Sequence, residues 1–284
     1  MKHFKIQAVI AFLILAAITV LFPLHIEEAI FELSLYVTPV LFAIFIAFSI
    51  SERLSRIDKI RENDSIERSS LEMLNSFIES NSPENHKEVN GLIDEYLMAT
   101  LDYSIEDYYK TRPYYEKISK ALYSIKNDRV NDFSVYILSK IHEAREQTVT
   151  LISDYMSKFE WLIYYVLGAG VLVPFLVMNN GSFLNVAFVM LIILSVILLL
   201  SFLHELNNLG WKKEVRIFAP YQKTFEAIGN MRYFPESLMG NKKVKKIAGD
   251  NYRVGHFPNP YPNFEGKNIK KVDVFQKGKG AEND

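Results

Sequence analysis

Four long apolar segments alternate with polar sequence along this chain. They cover residues 6–22, 33–50, 161–178 and 183–203, and none of them contains Lys, Arg, Asp or Glu. About 20 helical residues cross a hydrocarbon core roughly 30 Å thick, and a backbone in lipid must satisfy its own hydrogen bonds. The pattern predicts an all-α polytopic membrane protein with four transmembrane helices. For the first segment a cleaved signal peptide is the alternative, because Lys2 and Lys5 precede it.

Basic residues near the segment ends predict the orientation. The loops 23–32 and 179–182 contain no Lys or Arg. The opposite ends of the four segments are flanked by basic residues, namely Lys2, Lys5, Arg53, Arg56, Lys59, Arg61, Lys158, Lys212, Lys213 and Arg216. Because cytoplasmic loops carry the excess of Lys and Arg, we expect a multi-pass protein of the inner (plasma) membrane. Both termini and the polar block 51–160 would then be cytoplasmic.

The block 51–160 is predicted to be a helical cytoplasmic domain. Its first helix continues the second apolar segment to Ile78 and ends at residues 81–83, and residues 111–113 interrupt the second. The last helix has apolar residues at a 3–4 spacing from Val130 to Tyr155, and we expect it to run unbroken into the third segment. Its charged positions, including Arg145, are expected to face solvent. The apolar stripes either pack within one chain or form subunit contacts.

The sequence changes character after the fourth segment. Residues 204–229 are predicted to form an interfacial helix with Tyr221 near the lipid headgroups. Its headgroup contacts would be Trp211, Lys212, Lys213 and Arg216. Residues 230–276 are expected to form a small β-rich cytoplasmic tail. Its strands are predicted at 242–247 and 252–257, paired as a hairpin, and at 268–276, with disorder over 277–284.

Candidate chemistry is sparse. The chain has no cysteine, so disulfides and Cys-ligated metals are excluded. Its 32 Lys and Arg residues nearly balance its 33 Asp and Glu residues. The six histidines are dispersed, and no phosphate-binding glycine motif is present. We therefore expect no catalytic residues, no metal and no cofactor, and predict that the protein is not an enzyme. The basic run 242–246 is expected to be a solvated or membrane-facing strand, with phosphate binding as the alternative and nucleic-acid binding disfavoured.

The second segment carries the most informative pattern. One helical face is polar at both ends and apolar in the middle, and its predicted pore-lining residues are Thr38, Phe42, Phe45, Ile46 and Ser49. Glu52 and Arg53 would form a charged cytoplasmic mouth. Hydrophobic constrictions gate pores by dewetting, so this face suits a channel. Lipid-facing or internally packed aromatic side chains explain the same spacing.

Further residues carry a family resemblance, namely Glu67 and Leu71, Tyr96, Ala144 and Arg145, Trp161, and the stretch 218–225. With the layout over residues 6–228, they resemble the bestrophin-like domain family of prokaryotic membrane proteins. Residues 38–46 also look similar to the neck of bestrophins, which are pentameric chloride channels. The resemblance implies a homo-oligomer, by analogy a pentamer, with Thr38, Phe42 and Ile46 facing the pore.

The sequence thus favours a homo-oligomeric anion channel with a hydrophobic constriction on the second span. Four spans from one subunit hardly enclose a pore, so a channel requires a ring of subunits. Membrane lipid and permeant small ions are the expected partners. The alternative function is a non-conducting scaffold or sensor that acts through its cytoplasmic helices.

Overall fold

A computed structural model describes residues 30–209 and 218–273, together with Ile10, Leu13, Ile14, Ala17 and Ile18. The fold is mostly helical with one small sheet. The chain divides into two compact units. We call Met1–Asp58 with Asp154–Trp211 the apolar unit, and Lys59–Ser153 with Lys212–Asp284 the polar unit. Most of the first predicted span lies outside the described residues.

The structure gives bounds for eight α-helices. They are α1 Ile30–Asn81, α2 Pro83–Asp102, α3 Arg112–Ser124, α4 Asp128–Ser153, α5 Lys158–Val177, α6 Phe183–Asn207, α7 Phe218–Ala227 and α8 Lys242–Ala248. A 3-10 helix at Ile105–Thr111 joins α2 to α3. By length and composition, three of these helices (α1, α5 and α6) are suited to crossing a membrane.

Helix α1 contains 52 residues and belongs to both units. At 1.5 Å per residue its length is about 78 Å, more than twice the roughly 30 Å thickness of a hydrocarbon core. The predicted continuation of the second span into the polar block is confirmed. The helix ends at Asn81, and Pro83 opens the next helix at a position where its missing N–H costs nothing.

The prediction that the last helix of the block runs unbroken into the third span is wrong. Helix α4 ends at Ser153 and α5 begins at Lys158. Ser157 caps α5, because its hydroxyl accepts from the Glu160 backbone N–H at 3.2 Å while the Glu160 carboxylate accepts from the Ser157 N–H at 2.6 Å. This capping box satisfies two unpaired donors and starts a new helix without any Pro or Gly.

The polar unit has a core built within one chain from its part of α1 and from α2, α3, α4 and α7. The apolar stripes of these helices meet in one cluster whose fully buried members include Leu71, Leu74, Ile93, Leu97, Ile118, Leu122, Ile137, Ile141 and Phe225. Tyr221 and Phe225 place α7 in this core, so Tyr221 is not at the headgroup level as expected. The predicted contacts of Trp211, Lys212, Lys213 and Arg216 lie outside the described residues.

The tail forms a three-stranded sheet in the order β1-β2-β3. Strand β1, Arg232–Pro235, pairs in parallel with β2, Asn251–His256, and β2 pairs in antiparallel with β3, Asn268–Asp273. The predicted strand at 242–247 and its hairpin are wrong, because these residues form α8. Val244 and Ala248 lie four residues apart and pack on Phe234, which buries one face of this short helix.

Candidate functional site

The predicted pore face of α1 contains both buried and uncovered positions. Phe42 and Ile46 are 4% and 3% exposed and pack in the apolar unit against Val171, Val189 and other residues of α5 and α6. Phe45 lies beside them but is 47% exposed. Within one chain, therefore, Phe42 and Ile46 serve helix packing, whereas Phe45 is largely free.

The two polar members of that face also contact α5. A methyl group added to Gly170 would lie 2.7 Å from Thr38 Cγ2, so Thr38 approaches the backbone of α5 closely. Ser49 Oγ shares a hydrogen bond with the Tyr164 hydroxyl. Both contacts join α1 to α5. Small residues at such crossings allow helices in lipid to approach closely.

A neighbouring face of α1 is apolar and more exposed. Leu41, Ile44, Phe45 and Phe48 recur at spacings of three and four residues, which places them on one broad side of a helix. Phe48 is 72% exposed, the largest value of the four. We call these four residues the exposed strip. In the part of the chain that the structure describes, these apolar side chains stay partly exposed and can contact lipid or another copy of the chain.

Two arginines that hydrogen-bond to backbone carbonyls follow the exposed strip along α1. Arg53 is buried and donates to the Asp154 carbonyl at 2.8 Å and to the Asp154 carboxylate at 3.2 Å. Arg56 donates to the Asn207 carbonyl at 3.0 Å, and the Asn207 side chain accepts from the Met156 backbone N–H at 2.9 Å. Of the predicted charged mouth, Glu52 is largely exposed, whereas Arg53 holds the segment between α4 and α5.

A charged cluster is buried in the polar unit and includes Glu67 of α1. The Glu67 carboxylate accepts from the hydroxyls of Tyr96 and Tyr108 through its two oxygens. Arg145 from α4 donates to the Tyr96 hydroxyl and, at 3.1 Å, to Thr111 Oγ1. Its guanidinium also lies 5.1 Å and 5.0 Å from the ring centroids of Tyr96 and Tyr108.

This buried cluster corrects the expectation that Arg145 faces solvent. Its side chain is covered, whereas the neighbouring Glu143 and Glu146 are exposed. Periodicity alone placed Arg145 in a charged stretch. A sequence signal for the cluster does exist. Three of the residues that carry the family resemblance have side chains that can form hydrogen bonds with one another, namely Glu67, Tyr96 and Arg145. The structure brings these three residues together.

Burial sets the electrostatics of the cluster. Loss of water raises the pKa of Glu67, against the opposing effects of the Arg145 charge and the two tyrosine hydrogen bonds. Burial also raises the pKa of Tyr108, and the Glu67 carboxylate adds to the effect. The two phenols therefore remain protonated donors at neutral pH. The cluster suits the fixing of four segments (α1, α2, the 3-10 helix and α4) relative to one another.

Comparisons with known proteins agree with this architecture. A family model for the Bestrophin-like domain matches residues 6–209, and no curated protein matches the sequence. Two mutant forms of a bacterial bestrophin homologue from Klebsiella pneumoniae share the fold. The first has a TM-score of 0.64 at 12% identity, covering 79% of this chain and 100% of that one. The second has the same score and identity with coverages of 78% and 97%.

A third solved structure, of a membrane protein, has a TM-score of 0.62 at 12% identity and covers 80% of this chain and 98% of that one. At such low identity these likenesses show the fold alone. The family model matches well over half of the chain and includes all three apolar helices of the described part. This chain is therefore a multi-pass membrane protein that belongs to the bestrophin-like domain family.

Proposed function

We propose that this protein is a homo-oligomeric ion channel whose pore is lined by α1. Family membership and the three apolar helices support a channel in a membrane. The basic residues flanking the apolar segments support four spans with both termini cytoplasmic. A pore enclosed by so few helices per chain requires several copies around one axis, five by analogy with bestrophins.

The observation that carries the proposal is the exposed strip. Phe42 and Ile46 are occupied by contacts within the chain, so the constriction falls to Leu41, Ile44, Phe45 and Phe48. Of the pore-lining residues predicted from sequence, we assign Phe45 to the constriction. We propose that Thr38, Phe42, Ile46 and Ser49 chiefly fix α1 against α5 and α6. Rings of apolar side chains close a pore by excluding water, which blocks ions without a steric plug.

Glu52 follows the strip at the cytoplasmic mouth. A ring of carboxylates attracts cations, whereas the resemblance to bestrophins favours anions. We propose anion conduction as the leading assignment, with Glu52 limiting the selectivity. Neutralising this side chain in Glu52→Gln should then raise chloride flux relative to potassium flux.

The test is ion flux into liposomes that contain the purified full chain, measured for chloride and for potassium. Phe48→Ala widens the constriction and should increase flux, because a barrier lowered by about 1.4 kcal/mol raises a rate about tenfold. Phe188→Ala is the matched control, since Phe188 is 54% exposed on α6, outside the strip. This control should leave flux unchanged.

Three results would contradict the proposal. Folded, oligomeric protein without flux in any variant would favour the non-conducting scaffold or sensor. A change of similar size in Phe48→Ala and Phe188→Ala would indicate that the strip faces lipid. A monomer by mass measurement in detergent would exclude a ring of subunits.

A further inference from the structure

The polar unit contains a cavity of about 330 Å³ between the end of α2 and the tail. Asp102 lines one side, and Glu236 and Ser237, which follow β1, line another. The remaining wall comes from the loop between β2 and β3, with Phe257, Tyr261 and Phe264 among its residues. Pockets for small molecules typically begin near this size, with apolar walls and few polar groups.

Aromatic rings form the apolar wall of the cavity. The Phe264 ring centroid lies 5.4 Å from that of Phe257 and 5.9 Å from that of Tyr261. An edge-on contact of 4.7 Å with Tyr103 ties Phe264 to the end of α2. Tyr261 also accepts the Ser104 backbone N–H at 3.1 Å. These contacts fix the loop against the helical core and keep the wall in shape.

Two of the lining residues, Asp102 and Phe257, already contact an ammonium group. Lys267 Nζ lies 2.5 Å from Asp102 Oδ2, 5.0 Å from the Tyr233 ring centroid and 5.7 Å from that of Phe257. Cations within about 6 Å of a ring centroid are attracted by the negative face of the ring. The chemistry of the wall therefore favours positive charge, and Lys267 shows where such a charge is held.

Two carboxylates line the cavity, those of Asp102 and Glu236. Lys267 balances Asp102, which is buried. Glu236 is about half-exposed and contacts His256 Nδ1. One carboxylate on the rim and several rings inside are complementary to a molecule with one positive charge and an apolar body.

We propose that this cavity binds a small organic cation, a protonated amine carried on an apolar or aromatic group. The ammonium group interacts with Glu236 at the rim, and the apolar part packs on Phe257 and Phe264. Apart from Asp102, the residues that build the cavity lie beyond the matched family region of 6–209. The site is therefore independent of the proposed channel and stands or falls without it.

The experiment titrates full-length protein in nanodiscs with phenethylamine, using isothermal calorimetry with empty nanodiscs subtracted. 2-Phenylethanol, neutral and of similar shape, is the ligand control. Glu236→Gln should weaken phenethylamine binding about fivefold, the upper range for a partly exposed ion pair. Glu226→Gln is the matched protein control, because Glu226 is also half-exposed and paired with a basic residue, Arg232. This variant should bind as the parent does.

A second variant tests the aromatic wall. Phe264→Leu keeps the site apolar but removes the ring, and it should weaken binding while the protein retains its thermal transition. Equal binding of phenethylamine and 2-phenylethanol would overturn the proposal, as would unchanged affinity in Glu236→Gln. Saturable binding that is absent from empty nanodiscs and sensitive to both substitutions would support it.

Discussion

The two parts of α1 have opposite surroundings although they belong to one helix. In the apolar unit, one face of α1 packs on α5 and α6 while Leu41, Ile44, Phe45 and Phe48 remain uncovered. In the polar unit, α1 places Leu71, Leu74 and even the charged Glu67 in the interior. The polar unit thus buries the apolar faces of its own helices. The apolar unit leaves one face of α1 exposed, and lipid or another subunit would cover it.

The largest expected effect is in the polar unit. Arg145→Met removes the cation of the buried cluster and leaves the Glu67 charge without it, which should cost about 3–5 kcal/mol of unfolding free energy. Urea denaturation in detergent, followed by circular dichroism, measures this loss. Arg129→Met on the exposed side of the same helix should change stability by less than about 0.5 kcal/mol. Equal effects of the two substitutions would mean that the cluster does not hold the unit together.

An intermediate effect is expected where α1 crosses α5. In Gly170→Ala the new methyl group meets Thr38 at 2.7 Å, and overpacking of this kind costs about 1–3 kcal/mol. Gly91→Ala is the matched control, because Gly91 lies inside α2 with nothing within 4 Å of the added methyl group. That substitution should stabilise the protein by about 0.5–1 kcal/mol. Thermal unfolding that shifts in the same direction for both variants would contradict the close approach of Thr38.

The smallest effect concerns pH. The pKa of Glu67 is raised by burial, so the folded state binds a proton more tightly than the unfolded state does. Stability contributed by this group is therefore fully present below its unfolded pKa and is lost as pH rises through the folded one. Relative to Glu67→Gln, the parent protein should lose stability as pH rises from about 4. Parallel pH profiles of the two proteins would rule out this coupling.

Sequence patterns were informative where lipid dictates composition. Charge-free runs of about 20 residues identified α5, α6 and the apolar half of α1, because few other structures tolerate such runs. The choice between helix, strand and helix end in short segments was harder to predict. The break before α5 depends on a Ser157–Glu160 cap, and α8 forms from residues 242–248, where packing on Phe234 decides between helix and strand.

The candidate site was predicted only in part. Periodicity places Phe42, Phe45 and Ile46 on one side of a helix. Successive residues lie about 100° apart around a helix, so packed and exposed positions lie next to each other on that side. Which side meets α5 and α6 depends on tertiary contacts that periodicity does not contain. The same limit hid the buried cluster, because Glu67 and Arg145 are 78 residues apart and meet only after folding.

The proposed channel requires that the exposed strip of α1 lines the pore. The chain has no cysteine, so single-cysteine variants need no prior substitution. We would measure liposome flux for Ile44→Cys and Phe48→Cys before and after a charged, membrane-impermeant thiol reagent, with Phe188→Cys on α6 as the control. We expect the reagent to change flux in the two strip variants and to leave the control unchanged. Flux unaffected in all three, or affected equally, would contradict it.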